Sequence, residues 1–377
     1  MRTVDAAGLT IGETAPPRIM GVVNVSPESP YDPSVYTEAD EAAAYIDDLI
    51  EEGADIIDVG LASANKRFRP LTAEEELERL QLAVDSMAST SREAIFSIET
   101  RYHEVAASAI DQGFQMVNDV CGFADQQMPV TCADYGVTVV KMASPPDLER
   151  PGAVDSVDEI HEAIQRGGFT ERTIIDPAFG GWSEDKTLED DRETFRRLSE
   201  FRAYGRPILV SINRKNFLRE LADRSTEDAL PVSLAATSMA VERGASVIRT
   251  HDVAETRDAA IIGDSFADRE SFTLEDDVSV TELDSVPYGA LHRQLSQLDV
   301  DPARSGDWSW RVYSISGLEA MDDWTTERLE RAGLAVYGSE PVVVAGPVRT
   351  IRRLSRLADE LPPPMDVVIE QIAHGVR

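Results

Sequence analysis

Eight short apolar runs, each followed by a helical pattern, constrain this chain more than any other feature. They are RIMGVVNV from Arg18, DIIDVG from Asp55, AIFSIE from Ala94, QMVNDV from Gln115, VTVVKM from Val137, TIIDPA from Thr173, PILVSI from Pro207 and SVIRT from Ser246. The gaps hold stretches such as EADEAAAYIDDLIEEG and LTAEEELERLQLAV, whose apolar residues recur at helical spacing. Gly53 stands where the first of these helices needs a C-terminal cap. Apolar strands alternating with amphipathic helices bury both faces by pairing in parallel under a layer of helices. Eight such units over about 250 residues have the size and rhythm of an α/β (β/α)₈ (TIM) barrel. The other arrangement, a doubly wound open sheet, is weakened by the lack of G-x-G-x-x-G after the first strand.

The pattern stops near residue 268. An acidic stretch without helical period, GDSFADRESFTLEDDVSV, separates a barrel of residues 1–268 from a C-terminal part of residues 269–377. There WSWRVYSIS reads as a strand, TTERLERAGLAVYG as a helix and short strand ending at Gly338, and PVVVAGPVRTIRRLSRLADELPPP as strand, turn, helix and stop. The expectation is a small α/β appendage of unassigned role. Its VAGPVRTIRR reads as a plain helix start.

Charge narrows the partners. The 377 residues carry 69 acids against 36 bases, a net charge of −33, and only four of the bases are lysine (Lys66, Lys141, Lys186, Lys215). A surface this acidic repels phosphate backbones and anionic bilayers, so neither nucleic acid nor a membrane is expected as a partner. Such a surface suits a high-salt cytosol, where screening weakens self-repulsion. An ordinary acidic enzyme is the other reading. Cys121 and Cys132 fit neither a CxxC motif nor a disulfide framework and are expected as buried small hydrophobes in a reduced, cytoplasmic protein. The N-terminus lacks the apolar core of a signal peptide, and no apolar run approaches the ~20 residues of a membrane span. His103, His161, His292 and His374 show no metal-ligand spacing and are expected at the surface.

A barrel places its site at the C-terminal strand ends. Those ends carry Asn24, Gly60, Glu99, Asn118 with Asp119, Lys141 with Met142, Asp176, Asn213 with Arg214 and Lys215, and Arg249 with His251. A ring of acid, amide and base at nearly every strand end points to a polar small-molecule site. The first strand hands over to a stiff polar loop, SPESPYDP, which would form a lid beside Asn24.

Six stretches, IMGVVNVSPES, EEGADIIDVG, NDVCGF, IIDPAFG, SINRKNF and GASVIRTHDV, resemble in order and position the motifs of the dihydropteroate synthase family. The resemblance covers roughly residues 18 to 265. It implies condensation of 6-hydroxymethyl-dihydropterin pyrophosphate with p-aminobenzoate, with release of pyrophosphate. A carboxylate can accept two N–H groups of a pterin edge, which suits Asp176. Asn118 can offer donor and acceptor to the same ring, and Lys215 can reach a ring carbonyl or nitrogen. Glu99 and Met142 complete the implied substrate contacts. Arg249 and His251, two apart on one strand, face one way and would hold the pyrophosphate. Lys215, Arg249 and His251 are the implied catalytic groups. Asn24 would help hold Mg²⁺ on the pyrophosphate. A homodimer is a possible assembly.

The chain departs from the family at the second-substrate end. Glu99 replaces the usual Asp. VGLASANKRFRP has Ala64 and Asn65 where Thr and Arg are expected, and Glu28, Pro30 and Tyr31 alter the first loop. The sixth loop, DPAFGGWSEDKT, is longer and more acidic than the glycine-rich family form. Three functions therefore stand. One is a divergent synthase in which Lys66, Arg67 or Arg69 replaces the missing arginine. The others are methyl transfer from a reduced pterin and pterin binding without turnover. Retention of Lys215, Arg249 and His251 favours the first.

Overall fold

The computed structural model describes residues 3–12, 15–26, 35–62, 69–183 and 185–267, with backbone alone at 203, and beyond them the backbone of four strands. Two compact units are defined: residues 2–198 with 206–267, and residues 268–377 with 1 and 199–205.

The first unit opens with a hairpin, β1 (Val4–Ala6) and β2 (Leu9–Ile11). The barrel strands are β3 (Arg18–Asn24), β4 (Ile56–Gly60), β5 (Ile95–Thr100), β6 (Met116–Asp119), β7 (Thr138–Met142), β8 (Thr173–Asp176), β9 (Ile208–Val210) and β10 (Ala245–Thr250). They pair in parallel in sequence order and close between β10 and β3. All eight expected strands form. Helices α1 (Ala39–Glu52), α2 (Ala73–Ser89), α3 (His103–Asp111), α4 (Met128–Tyr135), α5 (Val157–Gln165), α6 (Leu188–Arg196), α7 (Asn216–Ala222), α8 (Leu230–Glu242) and α9 (Val253–Phe266) occupy the connections.

Local chemistry sets the boundaries. Gly53 caps α1 with φ +106°, a conformation that costs a glycine nothing. Thr72 opens α2, Ser156 opens α5 and Thr187 opens α6 with reciprocal caps to Glu75, Glu159 and Asp190. Each motif satisfies two otherwise orphaned backbone donors.

The barrel floor is apolar. Met20, Ile56, Met116, Val140, Ile174, Leu209 and Val247 form one buried cluster with Val4, Ala6 and Ile11 of the hairpin. The hairpin therefore seals the N-terminal end of the barrel, a role that its sequence did not announce. The cysteines are free and buried as expected, and burial pushes the Cys132 thiol up to about 12. His161 corrects the expectation of an exposed histidine: it lies on the core face of α5 at 3 % exposure. His103 is partly buried, its Nδ1 2.8 Å from Asp125. His292 and His374 lie outside the described residues. Among the described residues, no helix is long and apolar enough to cross a membrane.

In the second unit, β11 (Ser279–Glu282), β12 (Trp310–Ser316), β13 (Ala335–Tyr337) and β14 (Val342–Pro347) form an antiparallel sheet in the order 11-12-14-13. Three of these fall on the expected C-terminal strands. The expected helices lie outside the described residues.

Candidate active site at the C-terminal mouth of the barrel

Side chains alternate along a strand, so the residue two beyond each floor position also faces the lumen. Two beyond Ile56, Met116, Val140, Ile174 and Val247 stand Asp58, Asn118, Met142, Asp176 and Arg249. Two beyond Val22 stands Asn24, and two beyond Ser97 stands Glu99. One step up each strand, the lumen thus changes from hydrocarbon to acid, amide and base.

Hydrogen bonds across the lumen join these groups. Arg249 donates from Nε to Asp58 Oδ2 at 2.7 Å and from Nη2 to Glu99 Oε2 at 2.7 Å. Asn118 Nδ2 donates to the same Asp58 oxygen at 2.9 Å. Asp58 is fully buried, while the Arg249 and Glu99 side chains keep 17 % and 13 % exposure toward the mouth. Asp58 was not among the expected site residues. Its signal was present: an acid inside the apolar run DIIDVG, in register with Ile56.

Burial tunes the charges. It pushes the Asp176 carboxyl up to about 6, against the Ala178 N–H that bonds Oδ1 at 2.8 Å and the positive charges of Lys215 and Arg249. Burial and then repulsion from Arg249 draw Lys215 down to about 8. The same two causes pull His251 down to about 3, so at neutral pH it is an uncharged imidazole. Burial also raises Glu99, against the pull of Arg249. Arg249 is itself held charged: burial opposes this, and Asp58 and Glu99 together outweigh it.

The loops finish the site. Lys215 Nζ lies 4.7 Å from the Trp182 ring centroid, a cation–π distance. Gly60 leaves space for Asn24, since a Cβ there would meet Asn24 Oδ1 at 2.8 Å.

Several strand-end residues expected in the ring face elsewhere. Asp119 accepts the Cys121 and Phe123 N–H groups and shapes its own loop. Lys141 points outward, and its Nζ donates to the carbonyls of Ile164, Arg166 and Gly168 at the C-terminal end of α5. Asn213 and Arg214 both bond Asp252. In the strand pairs Asn118–Asp119 and Lys141–Met142, alternation sends only one side chain into the lumen. The first loop and the centre of the second, with Glu28, Pro30, Tyr31, Ala64, Asn65, Lys66 and Arg67, lie outside the described residues. Arg69 is exposed and paired with Glu75, which commits it to the start of α2.

The pterin binding enzyme family matches residues 20–251. A probable bifunctional folylpolyglutamate synthase/dihydropteroate synthase of Haloferax volcanii is 31% identical over 271 residues, covering 69% of this chain and 31% of that protein. The chain thus spans about a third of that relative's length. The dihydropteroate synthase of Escherichia coli is 29% identical over 255 residues, 64% of this chain and 89% of that one. Among solved structures, a dihydropteroate synthase from Coxiella burnetii in complex with pteroic acid superposes with TM-score 0.61 and 27% identity, covering 72% of this chain and all of that one. The Xanthomonas albilineans enzyme with 4-aminobenzoic acid superposes with TM-score 0.59 and 33% identity, covering 70% of this chain and 97% of that one. The family match begins in β3 and ends at His251, just past β10, so it takes in every barrel strand and the whole lumen network. This chain belongs to the pterin binding enzyme family.

Proposed function

We propose that the chain is a transferase of the dihydropteroate synthase type. It joins 6-hydroxymethyl-7,8-dihydropterin pyrophosphate to p-aminobenzoate or a related aryl amine and releases pyrophosphate. The observation that carries this reading is the convergence of Asp58, Asn118, Asp176, Lys215 and Arg249 on one barrel mouth above an apolar floor. Asp176 would take the amide-like edge of the ring, with Asn118 beside it and Met142 against its face. Lys215 would reach the ring carbonyl or a ring nitrogen. The aryl amine nitrogen attacks the methylene carbon on the ring, the carbon–oxygen bond breaks, pyrophosphate departs and the amine loses a proton. Arg249, with neutral His251 as a hydrogen-bond donor, would stabilise the negative charge growing on the leaving oxygen.

The residues also fit Mg²⁺. Asn24 places a neutral amide oxygen at the strand end, and Mg²⁺ takes oxygen ligands, usually keeping waters and substrate phosphate around one or two protein donors. When bound, the ion would offset pyrophosphate charge. Exposed Met239 on α8 and Ile261, Ile262 and Phe266 on α9 support a homodimer. A reduced, cytoplasmic setting and a separate domain over residues 269–377 complete the proposal.

Calorimetric titration with the pterin pyrophosphate and Mg²⁺, followed by p-aminobenzoate with product detection, tests it. Binding followed by dihydropteroate and pyrophosphate in equal amounts is expected. Equal affinity for the pterin with and without pyrophosphate would point instead to methyl transfer or simple binding. In the same assay Asp176→Asn reverses one hydrogen-bond partner and should weaken pterin binding by about 2–3 kcal/mol. Unchanged affinity in the folded variant removes the ring assignment.

A further inference from the structure

Arg214 adopts φ +54°, a left-handed conformation that glycine takes freely and other residues take only when their surroundings impose it. Five hydrogen bonds impose it here. The guanidinium meets Asp252 as a two-pronged pair, Nε donating to Oδ2 and Nη2 to Oδ1, both at 2.9 Å. Nη1 donates to the carbonyls of Thr226 at 2.7 Å and Glu227 at 2.8 Å, and the Arg214 backbone N–H donates to Ser233 Oγ at 2.9 Å. One residue thus ties together the β9–α7, α7–α8 and β10–α9 connections. The Arg214 and Asp252 side chains keep only 12 % and 15 % exposure, so the pair is largely shielded from water.

Its place in the chain gives the pair a use. Arg214 precedes Lys215 and Asp252 follows His251, so an outer ion pair brackets two groups assigned to the reaction. His251 is the more firmly fixed. The Asp252 N–H donates to Thr250 Oγ1 at 3.0 Å, and that oxygen lies 2.9 Å from Thr256 Oγ1 on α9. Asn213 Nδ2 adds a further donor to Asp252 at 2.8 Å. The backbone is therefore pinned on both sides of the imidazole. A neutral imidazole has a single N–H to give, so its worth depends on where it is aimed.

We propose that Arg214 and Asp252 are positioning residues for the transfer, their ion pair aiming His251 at the pyrophosphate. This deepens the proposed function and rests on it. A planar fork is what the geometry uses, and a lysine ammonium is a point charge that cannot reproduce it.

The test is Arg214→Lys, read by turnover and by calorimetry with 6-hydroxymethyl-7,8-dihydropterin and its pyrophosphate. The variant should lower kcat by about tenfold or more, the scale of a misplaced reacting group, with KM for p-aminobenzoate within about threefold of wild type. The affinity gained from the pyrophosphate should fall by about tenfold as well. In a His251→Ala background the same change should alter that gain by less than about threefold, because the group being aimed is gone. A merely structural role would reduce the amount of competent protein and leave the gain as it is. An unchanged gain in folded Arg214→Lys overturns the proposal, as does an equal loss with and without His251, and both leave the proposed function standing. A wild type that gains nothing from the pyrophosphate overturns the proposed function and this inference with it. If Arg214→Lys does not melt cooperatively, Thr250→Val decides, since it keeps the shape and removes the hydroxyl that holds the Asp252 N–H. A lower pyrophosphate gain in that variant upholds the assignment, and an unchanged one removes it.

Discussion

Ile174 and Asp176 sit two residues apart on one strand and point the same way, yet they belong to different chemical worlds. Below, Ile174 joins nine other fully or nearly fully buried apolar residues that seal the barrel. Above, Asp176 shares a lumen with Asp58, Glu99, Lys215 and Arg249. About 7 Å of strand separates the two layers. The lower layer is held by area removed from water, which is nondirectional and tolerant of shape-conserving change. The upper layer is held by charges taken out of water, which persist only while each has its partner. The first supplies rigidity and the second supplies specificity, and the strand carries both at once.

The contrast can be broken from below. Ile174→Ala leaves a cavity in the sealed floor and should cost about 2–5 kcal/mol in urea unfolding. Affinity for the pterin should hardly move, since the groups that touch it lie one layer up. A large loss of affinity at unchanged stability would show that floor and mouth are not separable.

It can also be broken from above. Arg249→Ala should lower kcat by on the order of 10²-fold, the scale of losing one donor to a developing oxyanion. Binding of a pterin without pyrophosphate should stay near wild type. Equal losses for ligands with and without pyrophosphate would assign Arg249 to the ring instead.

Proton titration sharpens the comparison, because only the upper layer holds titrating groups. Asp176, pushed up to about 6, must be ionised to accept the ring N–H groups, so affinity should fall as pH drops below about 6. Lys215, drawn down to about 8, must be protonated, so affinity should fall again above about 8. Stability carries the opposite sign at Asp176. A carboxyl whose folded pKa lies above its unfolded value costs stability as pH rises through that window. Asp176→Asn should therefore be more stable than wild type at pH 7, and the gap should close as pH falls toward 4. A pH-independent affinity between 5 and 9 would discount both groups.

The smallest effect separates surface from lumen. At molar KCl charges are screened within about 3 Å, which relieves the repulsion of the −33 surface but barely reaches buried pairs. The melting temperature should rise from low salt to molar KCl, while affinity for a pterin without pyrophosphate should stay nearly level. A flat or falling melting temperature would remove the salt-adapted reading of the composition.

Sequence alone determined the eight strands, their parallel order and the level at which the site lies. The reason is local: apolar period, helix caps such as Thr72 with Glu75, and strand-end polar residues are properties of a few adjacent positions. Asp176, Asn118, Arg249 and Lys215 could be named because each ends or closely follows a legible strand. Only the tertiary structure decided which neighbour of a polar pair turns inward. Asn118 enters the lumen and Asp119 does not, and Met142 enters while Lys141 turns out to the carbonyls at the C-terminal end of α5. That choice follows from which residue of each strand packs on the floor, a fact set by the other strands and by the N-terminal hairpin. Asp58 shows the same dependence most clearly. In the sequence it is one acid inside an apolar run, and it becomes the centre of the site only when β6 and β10 bring Asn118 and Arg249 to one of its oxygens. A strand can write its own alternation, but the partners that give a buried charge its meaning come from residues 60 and 191 positions away.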